Sequence, residues 1–252
     1  MTQQPSRGRR GMAVAPHGLA AQSALAVLRE GGNAIEAMVA AAATIAVVYP
    51  HMNGIGGDSF WLVGLPQASG DTEVLGIEGC GAAALAASAG QYAGLPAIPF
   101  RGGNAAITVA GTVSGWDQAL AVSRERLGGR LPLSRLLADA VDYARHGMPV
   151  TVSQHRNTLG KLAGLADVHG FAEAFLPDGQ VPAAGSLFRQ PRMAATLEHL
   201  ARAGLDDFYR GDLARSLAAD LAAAGSPLVL ADLQAHRCLL YTSPSPRDKR
   251  QS

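Results

Sequence analysis

GGNAIEAMVAAAATIAVVYPHMNGIGGDSFWLV, residues 31 to 63, joins a capped apolar helix to a glycine-dense turn and an apolar strand. Asn33 stands three residues before Glu36, the spacing at which an N-cap side chain and the third helical residue satisfy each other's backbone N–H. From there to Val48 the residues are Ala-rich and apolar nearly all round, which predicts a buried helix. Pro50 stops it. The turn that follows, Asn53-Gly54-Ile55-Gly56-Gly57-Asp58, carries glycines that permit left-handed dihedrals and close backbone approach. Its flanking Asn53 and Asp58 are expected to hydrogen-bond the loop backbone. Ser59 to Val63 then reads as a buried strand.

Outward from this stretch, the pattern predicts strands at 11–15, 59–65, 73–78 and 105–110. It predicts helices at 18–29, 33–48, 114–126, 133–146, 152–163 and 191–203, with Gly147 and Gly204 as stops. Asp212 is placed as the cap of a helix over 213–224 that Gly225 ends. Leu133, Leu136, Leu137, Ala140, Val141 and Ala144 recur at three-and-four spacing, a core-facing stripe. GGNA occurs at 31–34 and 102–105, but the surrounding residues differ and no internal repeat is read.

The chain is 48% hydrophobic and 16% charged over 252 residues, enough apolar surface for a substantial globular core. A net charge of +1 gives no general attraction for nucleic acid or an acidic membrane. The basic cluster Arg7, Arg9 and Arg10 reads as part of a flexible tail over 1–10. No apolar secretory segment opens the chain, and 37–48 is too short for a membrane span. A cytoplasmic protein is expected. Cys80 and Cys238 have no spacing that suggests a disulfide framework or a zinc site. From Cys238 to Ser252 the composition turns to Pro, Ser and basic residues, and disorder is expected there, in a tail read as non-native.

Several motifs invite chemistry and lose to blander readings. A glycine-rich turn beside a helix can cradle phosphate, but that needs a strand, then glycines, then a helix N-terminus. Here the helix comes first, presenting the wrong dipole end. The seven histidines show no paired helical spacing for a metal, so no metal is expected; His51 beside the turn is the one to watch. Gly111-Thr-Val-Ser114-Gly115 is not a nucleophile elbow, and Ser114 reads as a helix cap before Trp116. Arg210-Gly211-Asp212 spells an adhesion tripeptide, with capping by Asp212 as the preferred role.

The stretch 31–63, the upstream GMAVAPH at 11–17 and LREGGNA at 28–34 resemble the N-terminal part of the gamma-glutamyltranspeptidase family, in its gamma-glutamyltransferase-like branch. The resemblance continues in order through ITVAGTVSGW (107–116), LPLSRLLADAVDYARHGMPVT (131–151), LFRQPRMAATLEHLARAG (187–204), DDFYRGDLARSLAADL (206–221) and LVLADLQAHR (228–237). It covers residues 11 to 237. What it implies is a mixed α/β fold, helix-rich, forming the N-terminal portion of the αββα sandwich of N-terminal-nucleophile hydrolases. It also implies a self-processing enzyme of glutathione metabolism, a hydrolase and acyltransferase, in which a newly exposed Thr attacks a gamma-glutamyl or related small-molecule amide with its own amine as base.

On that resemblance the nucleophile and oxyanion donors belong to a small subunit of the same precursor, beyond this chain. None of Thr44, Thr108, Thr112, Thr151, Thr158 or Thr196 is assigned as nucleophile, and the chain alone is expected to be inactive, with no cofactor. The family's large subunit holds the substrate carboxylate with an Arg that should fall within 76–82. Glu78 stands there instead and would repel a carboxylate, which moves the expected substrate toward other acyl amides. Arg101, flanked by Gly102 and Gly103, is the substitute anion contact, or else a surface salt-bridge partner. Asn53, Gly54, Gly56, Gly57 and Asp58 are placed against the active-site wall. Two rivals remain at this point, a non-enzymatic interaction module on the same helices and, more weakly, a nucleotide-binding protein.

Overall fold

A computed structural model of the chain describes residues 7–242. The chain runs α1 (Gly18–Arg29), α2 (Ala34–Val48), β1 (Ser59–Pro66), β2 (Thr72–Gly79), α3 (Thr112–Leu127), α4 (Leu133–His146), β3 (Met148–Pro149), α5 (Val152–Lys161), α6 (Phe171–Phe175), β4 (Leu187–Phe188), α7 (Pro191–Ala203), α8 (Asp207–Arg210), α9 (Asp212–Ala223), α10 (Leu230–Ala235) and β5 (Leu239–Thr242).

α2 is the pillar. Twelve of its 15 residues are buried, and α1, α3 and α4 pack around it, as its all-round apolar sequence requires. The capping box forms as read: Asn33 Oδ1 accepts from Ile35 N at 3.0 Å and Glu36 N at 3.1 Å, and Glu36 Oε2 accepts from Asn33 N at 2.8 Å. The other carboxylate oxygen of Glu36 reaches across to the loop before α4, accepting from Arg130 N at 2.7 Å and Leu131 N at 2.8 Å. One acidic side chain thus starts α2 and fixes where α4 begins. α4 buries Leu136, Leu137, Ala140 and Ala144, the expected stripe. Gly147, Gly204 and Gly225 all take positive φ at helix ends, a region that glycine enters without a Cβ clash.

The main sheet has the order β1-β2-β5, antiparallel throughout, with Ser59 opposite Gly79 and Glu78 opposite both Phe60 and Leu239. Alternation along the strands divides it into two faces. Val63, Leu65, Leu75 and Ile77 are buried in a core with Ile35, Ala119 and Val122 from α2 and α3. The opposite face carries Phe60 at 71% exposure and Leu62 at 85%, with Val74, Leu239 and Tyr241 also open. Glu78, cross-strand from Phe60 and Leu239, stands among them.

Several expectations need correction. Residues 11–15 form no strand; Gly11 instead packs on Leu28 of α1. The strand expected at 105–110 is reduced to one bridge between Thr108 and Ala83, because a 3-10 turn at Gly103–Ala105 precedes it and α3 begins at Thr112. Ser114 lies inside α3, whose N-cap position is Gly111. Asp212 does not cap α9: Asp207 does, accepting from Leu213 N at 2.9 Å and Asp212 N at 3.2 Å, while Asp212 pairs with Arg215. The disorder expected from 238 fails for Leu239–Thr242, where Leu239, Leu240 and Tyr241 suit a strand and the segment pairs with β2. The rest of that tail, 243–252, and residues 1–6 of the N-terminal one lie outside the described residues.

Candidate functional site

Three stretches distant in sequence converge where β2 ends. The Gly57 carbonyl oxygen accepts from Gly111 N at 2.8 Å, Thr112 N at 2.9 Å and Thr112 Oγ1 at 2.8 Å. These are donors of the first turn of α3, which have no partner inside the helix, so α3 clamps the glycine turn through a single oxygen. The clamp needs close backbone approach. A Cβ at Gly111 would overlap the Gly79 carbonyl, one at Gly115 would overlap Ser59 Oγ, and one at Gly81 would overlap the Val109 carbonyl.

The glycines within the turn behave otherwise than expected. None of Gly54, Gly56 and Gly57 has a positive φ, and a Cβ on any of them would meet nothing within 4 Å. Nor does the side chain of Asn53 or Asp58 bond the loop backbone among the described residues; Thr112 holds the loop, and the charge of Asp58 acts instead on the Cys80 thiol, adding to the burial that raises its pKa. Over the turn lies a cavity of about 340 Å³ bordered by Asn53, Asp58, Phe60, Trp61 and Trp116.

Beside this wall, α8, α10 and β5 bring Tyr209, His236 and Cys238 to Ser114, around a cavity of about 300 Å³. Sequence reading gave the first three no role. Tyr209 Oη accepts from Ser114 N at 2.9 Å and donates to Ala110 O at 2.8 Å. Burial pushes its pKa up to about 12. Ser114 Oγ donates to Gly111 O at 2.8 Å and lies 2.7 Å from His236 Nε2. The Gly111 carbonyl also accepts from Gly115 N at 3.0 Å, and the Ser114–His236 contact ties α3 to the end of α10. Burial and then the Arg210 guanidinium lower the His236 pKa, opposed by Asp58. Cys80 and Cys238 are free thiols, both pushed up, first by burial, which disfavours reactive thiolate.

The proposed contact residues do not meet in one constellation. Glu78 is half-buried on the open sheet face, and its backbone carbonyl accepts from Cys238 Sγ at 3.2 Å. Arg101 is exposed in the loop before α3 and borders a separate cavity with His51. It makes no ion pair among the described residues, contrary to the surface salt-bridge alternative. Among the described residues no group of three or more His, Cys, Asp or Glu is placed to hold a metal, and no helix is long and apolar enough to cross a membrane.

Comparison with known proteins gives a consistent outcome. The profile of the family described as Gamma-glutamyltranspeptidase matches residues 20–246. The chain is 60% identical over 227 residues to an oxamate amidohydrolase proenzyme of Klebsiella pneumoniae, covering 90% of this chain and 42% of that protein. It is 41% identical over 230 residues to the glutathione hydrolase-like YwrD proenzyme of Bacillus subtilis, covering 91% and 42% respectively. The chain therefore spans about two fifths of the length of these relatives. Among solved structures, a gamma-glutamyltranspeptidase from Pseudomonas nitroreducens superposes with a TM-score of 0.79 at 31% identity, over 92% of this chain and 66% of that one. The helix-rich mixed fold is thus shared with part of that enzyme.

Proposed function

Because the chain belongs to the gamma-glutamyltranspeptidase family, we propose that it is the large-subunit part of a self-processing amide hydrolase that acts on a small acid amide of the oxamate class. The observation that carries the substrate class is the 60% identity to an oxamate amidohydrolase proenzyme over 90% of the chain. Glu78, where the family's carboxylate-binding Arg would stand, argues only against a gamma-glutamyl donor held there by its carboxylate; the carboxylate of oxamate would need a cation elsewhere in the site. In this reading water adds to the amide carbonyl through an acyl-enzyme on a Thr supplied by the small subunit, and the nitrogen leaves as ammonia. The chain by itself contributes no nucleophile. Its role is to form one α layer and one β layer and to wall the site with the turn 53–58.

The open sheet face supports the same reading. Phe60, Leu62, Leu239 and Tyr241 form an exposed apolar surface of the kind that a second β layer covers in a sandwich. The space above Gly54, Gly56 and Gly57 is then where substrate or the second layer approaches. A cytoplasmic setting belongs to the proposal.

The test is complementation. This chain alone, and this chain mixed with the remaining portion of the Klebsiella relative, are assayed for ammonia release from oxamate and for cleavage of gamma-glutamyl-p-nitroanilide. The expected result is no turnover and no self-cleavage by the chain alone, and oxamate hydrolysis by the mixture. Turnover by the chain alone, or a stable complex that cleaves only the gamma-glutamyl substrate, overturns the reading.

A further inference from the structure

A cavity of about 530 Å³ opens between the segment just after α2, the Arg101 loop, α5 and α6. Its chemistry is unbalanced in three independent ways. Two cations border it, Arg101 and Lys161, and neither has an ion-pair partner among the described residues. Gln154, on the α5 side, is 2% exposed, yet its Oε1 has no hydrogen-bond partner. His51 lines the opposite side, held through Nε2 to Ser153 Oγ at 3.1 Å, while its buried Nδ1 is also unpartnered. Buried polar atoms are almost always satisfied, because leaving one unmade forfeits hydration without replacement. Beside Asn157 and Thr158, the wall carries an apolar part in which Phe171 and Phe175 stack at 5.4 Å between ring centroids.

The cations and the apolar part of the wall specify the groups that an occupant would carry. Unpaired cations call for an anion, and a guanidinium fork is matched by a carboxylate. The phenylalanine pair calls for an aryl or branched apolar group. We propose that this cavity binds an organic carboxylate with an aryl or branched apolar group, the carboxylate at Arg101 and Lys161 and the apolar group against Phe171 and Phe175. The site is separate from the Ser114 and His236 cavity and does not depend on the reaction proposed above.

Gly164 supplies a positioning test. The Arg101 guanidinium lies on its bare backbone, so a Cβ there would overlap Nη1, and no positive φ makes alanine strained at this position. Gly164→Ala should therefore move the guanidinium without removing its charge.

The experiment is calorimetric titration of the full chain with hippurate, which carries a carboxylate, an amide N–H and a phenyl ring, and with its uncharged methyl ester. Hippurate should bind, more weakly as salt is raised, and the ester at least ~10-fold more weakly, as expected for a lost charge-assisted pair. Arg101→Ala and Lys161→Ala, both at exposed positions, should each weaken hippurate by several-fold to ~10-fold with unchanged thermal unfolding. Gly164→Ala should weaken it too, but add nothing in the Arg101→Ala background. Equal binding of acid and ester, no binding to folded protein at 10 mM, or indifference to Arg101 and Lys161 would each overturn the proposal.

Discussion

Removing the Glu36 carboxylate should cost more stability than any other single change near α2. Its two oxygens accept from three backbone N–H groups, Asn33 at 2.8 Å, Arg130 at 2.7 Å and Leu131 at 2.8 Å, with Glu36 itself only 3% exposed. In Glu36→Ala all three donors lose their acceptor. A buried donor left unmade costs about 1–3 kcal/mol, and Arg130, being exposed, regains water, so the low end applies to it. The sum is about 3–7 kcal/mol, a fifth or more of the ~5–15 kcal/mol that holds a typical domain. Glu36→Gln keeps the shape and one acceptor oxygen, which can serve the Arg130–Leu131 pair while the amide NH2 opposes Asn33 N–H. We expect about 2 kcal/mol for it. Asn33→Ala should cost about 1–2 kcal/mol, and the double change should cost less than the sum, since the two side chains share one cap. Urea unfolding followed by far-ultraviolet circular dichroism, at concentrations where the chain is monomeric, measures all four. A Glu36→Ala loss below ~1 kcal/mol, or strict additivity with Asn33→Ala, would refute the idea that this carboxylate joins α2 to α4.

Tyr209→Phe should cost about 2 kcal/mol by stranding Ser114 N–H and Ala110 O, read as a lower melting temperature. The folded Tyr209 phenol holds its proton to about pH 12 against ~10 when unfolded. Its contribution is therefore intact below pH ~10 and lost as pH rises through about 12, visible as one late phenol in an ultraviolet titration. Burial alone would raise the Asp207 carboxyl, but hydrogen bonds from Leu213 N, His199 and Asp212 N outweigh it and hold the pKa down. The stability it gives is present above the ordinary carboxylate range and falls away as pH drops through its depressed value. Asp207→Asn should flatten that acid limb. Ending the chain at Arg237 removes the β5 ladder and the Cys238 contact to Glu78, and should lower unfolding free energy by about 1–3 kcal/mol; an unchanged value would mean that β5 is not held in solution.

Legibility followed locality. The α2 cap and the helix stops at Gly147, Gly204 and Gly225 rest on contacts within a few residues, and the sequence pattern displays such contacts directly. The errors came where a distant partner decides. Asp207 captures the α9 start from five residues upstream, leaving Asp212 to pair with Arg215. Leu239–Thr242 look like the start of a polar tail until β2, about 160 residues earlier, offers its edge. The glycines were misjudged for the same reason. Gly79, Gly81 and Gly111 matter because another strand or helix lies against them, whereas the conspicuous Gly54, Gly56 and Gly57 face open space. The Ser114, Tyr209 and His236 cluster spans more than 120 residues of chain and has no local signature. The Arg101 cavity was foreshadowed only in its cation and in the attention given to His51.

The carboxylate of Glu78 in the middle of the open sheet face restricts how copies of this chain can meet. An apolar face of three strands would ordinarily stack on itself, and two such faces brought together by a twofold axis would press two like charges into a drying interface. A surface that brings its own donor to Glu78 suffers no such conflict, so the charge filters partners by chemistry more than by affinity. Replacing Glu78 with Leu should favour a face-to-face dimer relative to the unaltered chain, detectable by sedimentation, while leaving the helical layer untouched.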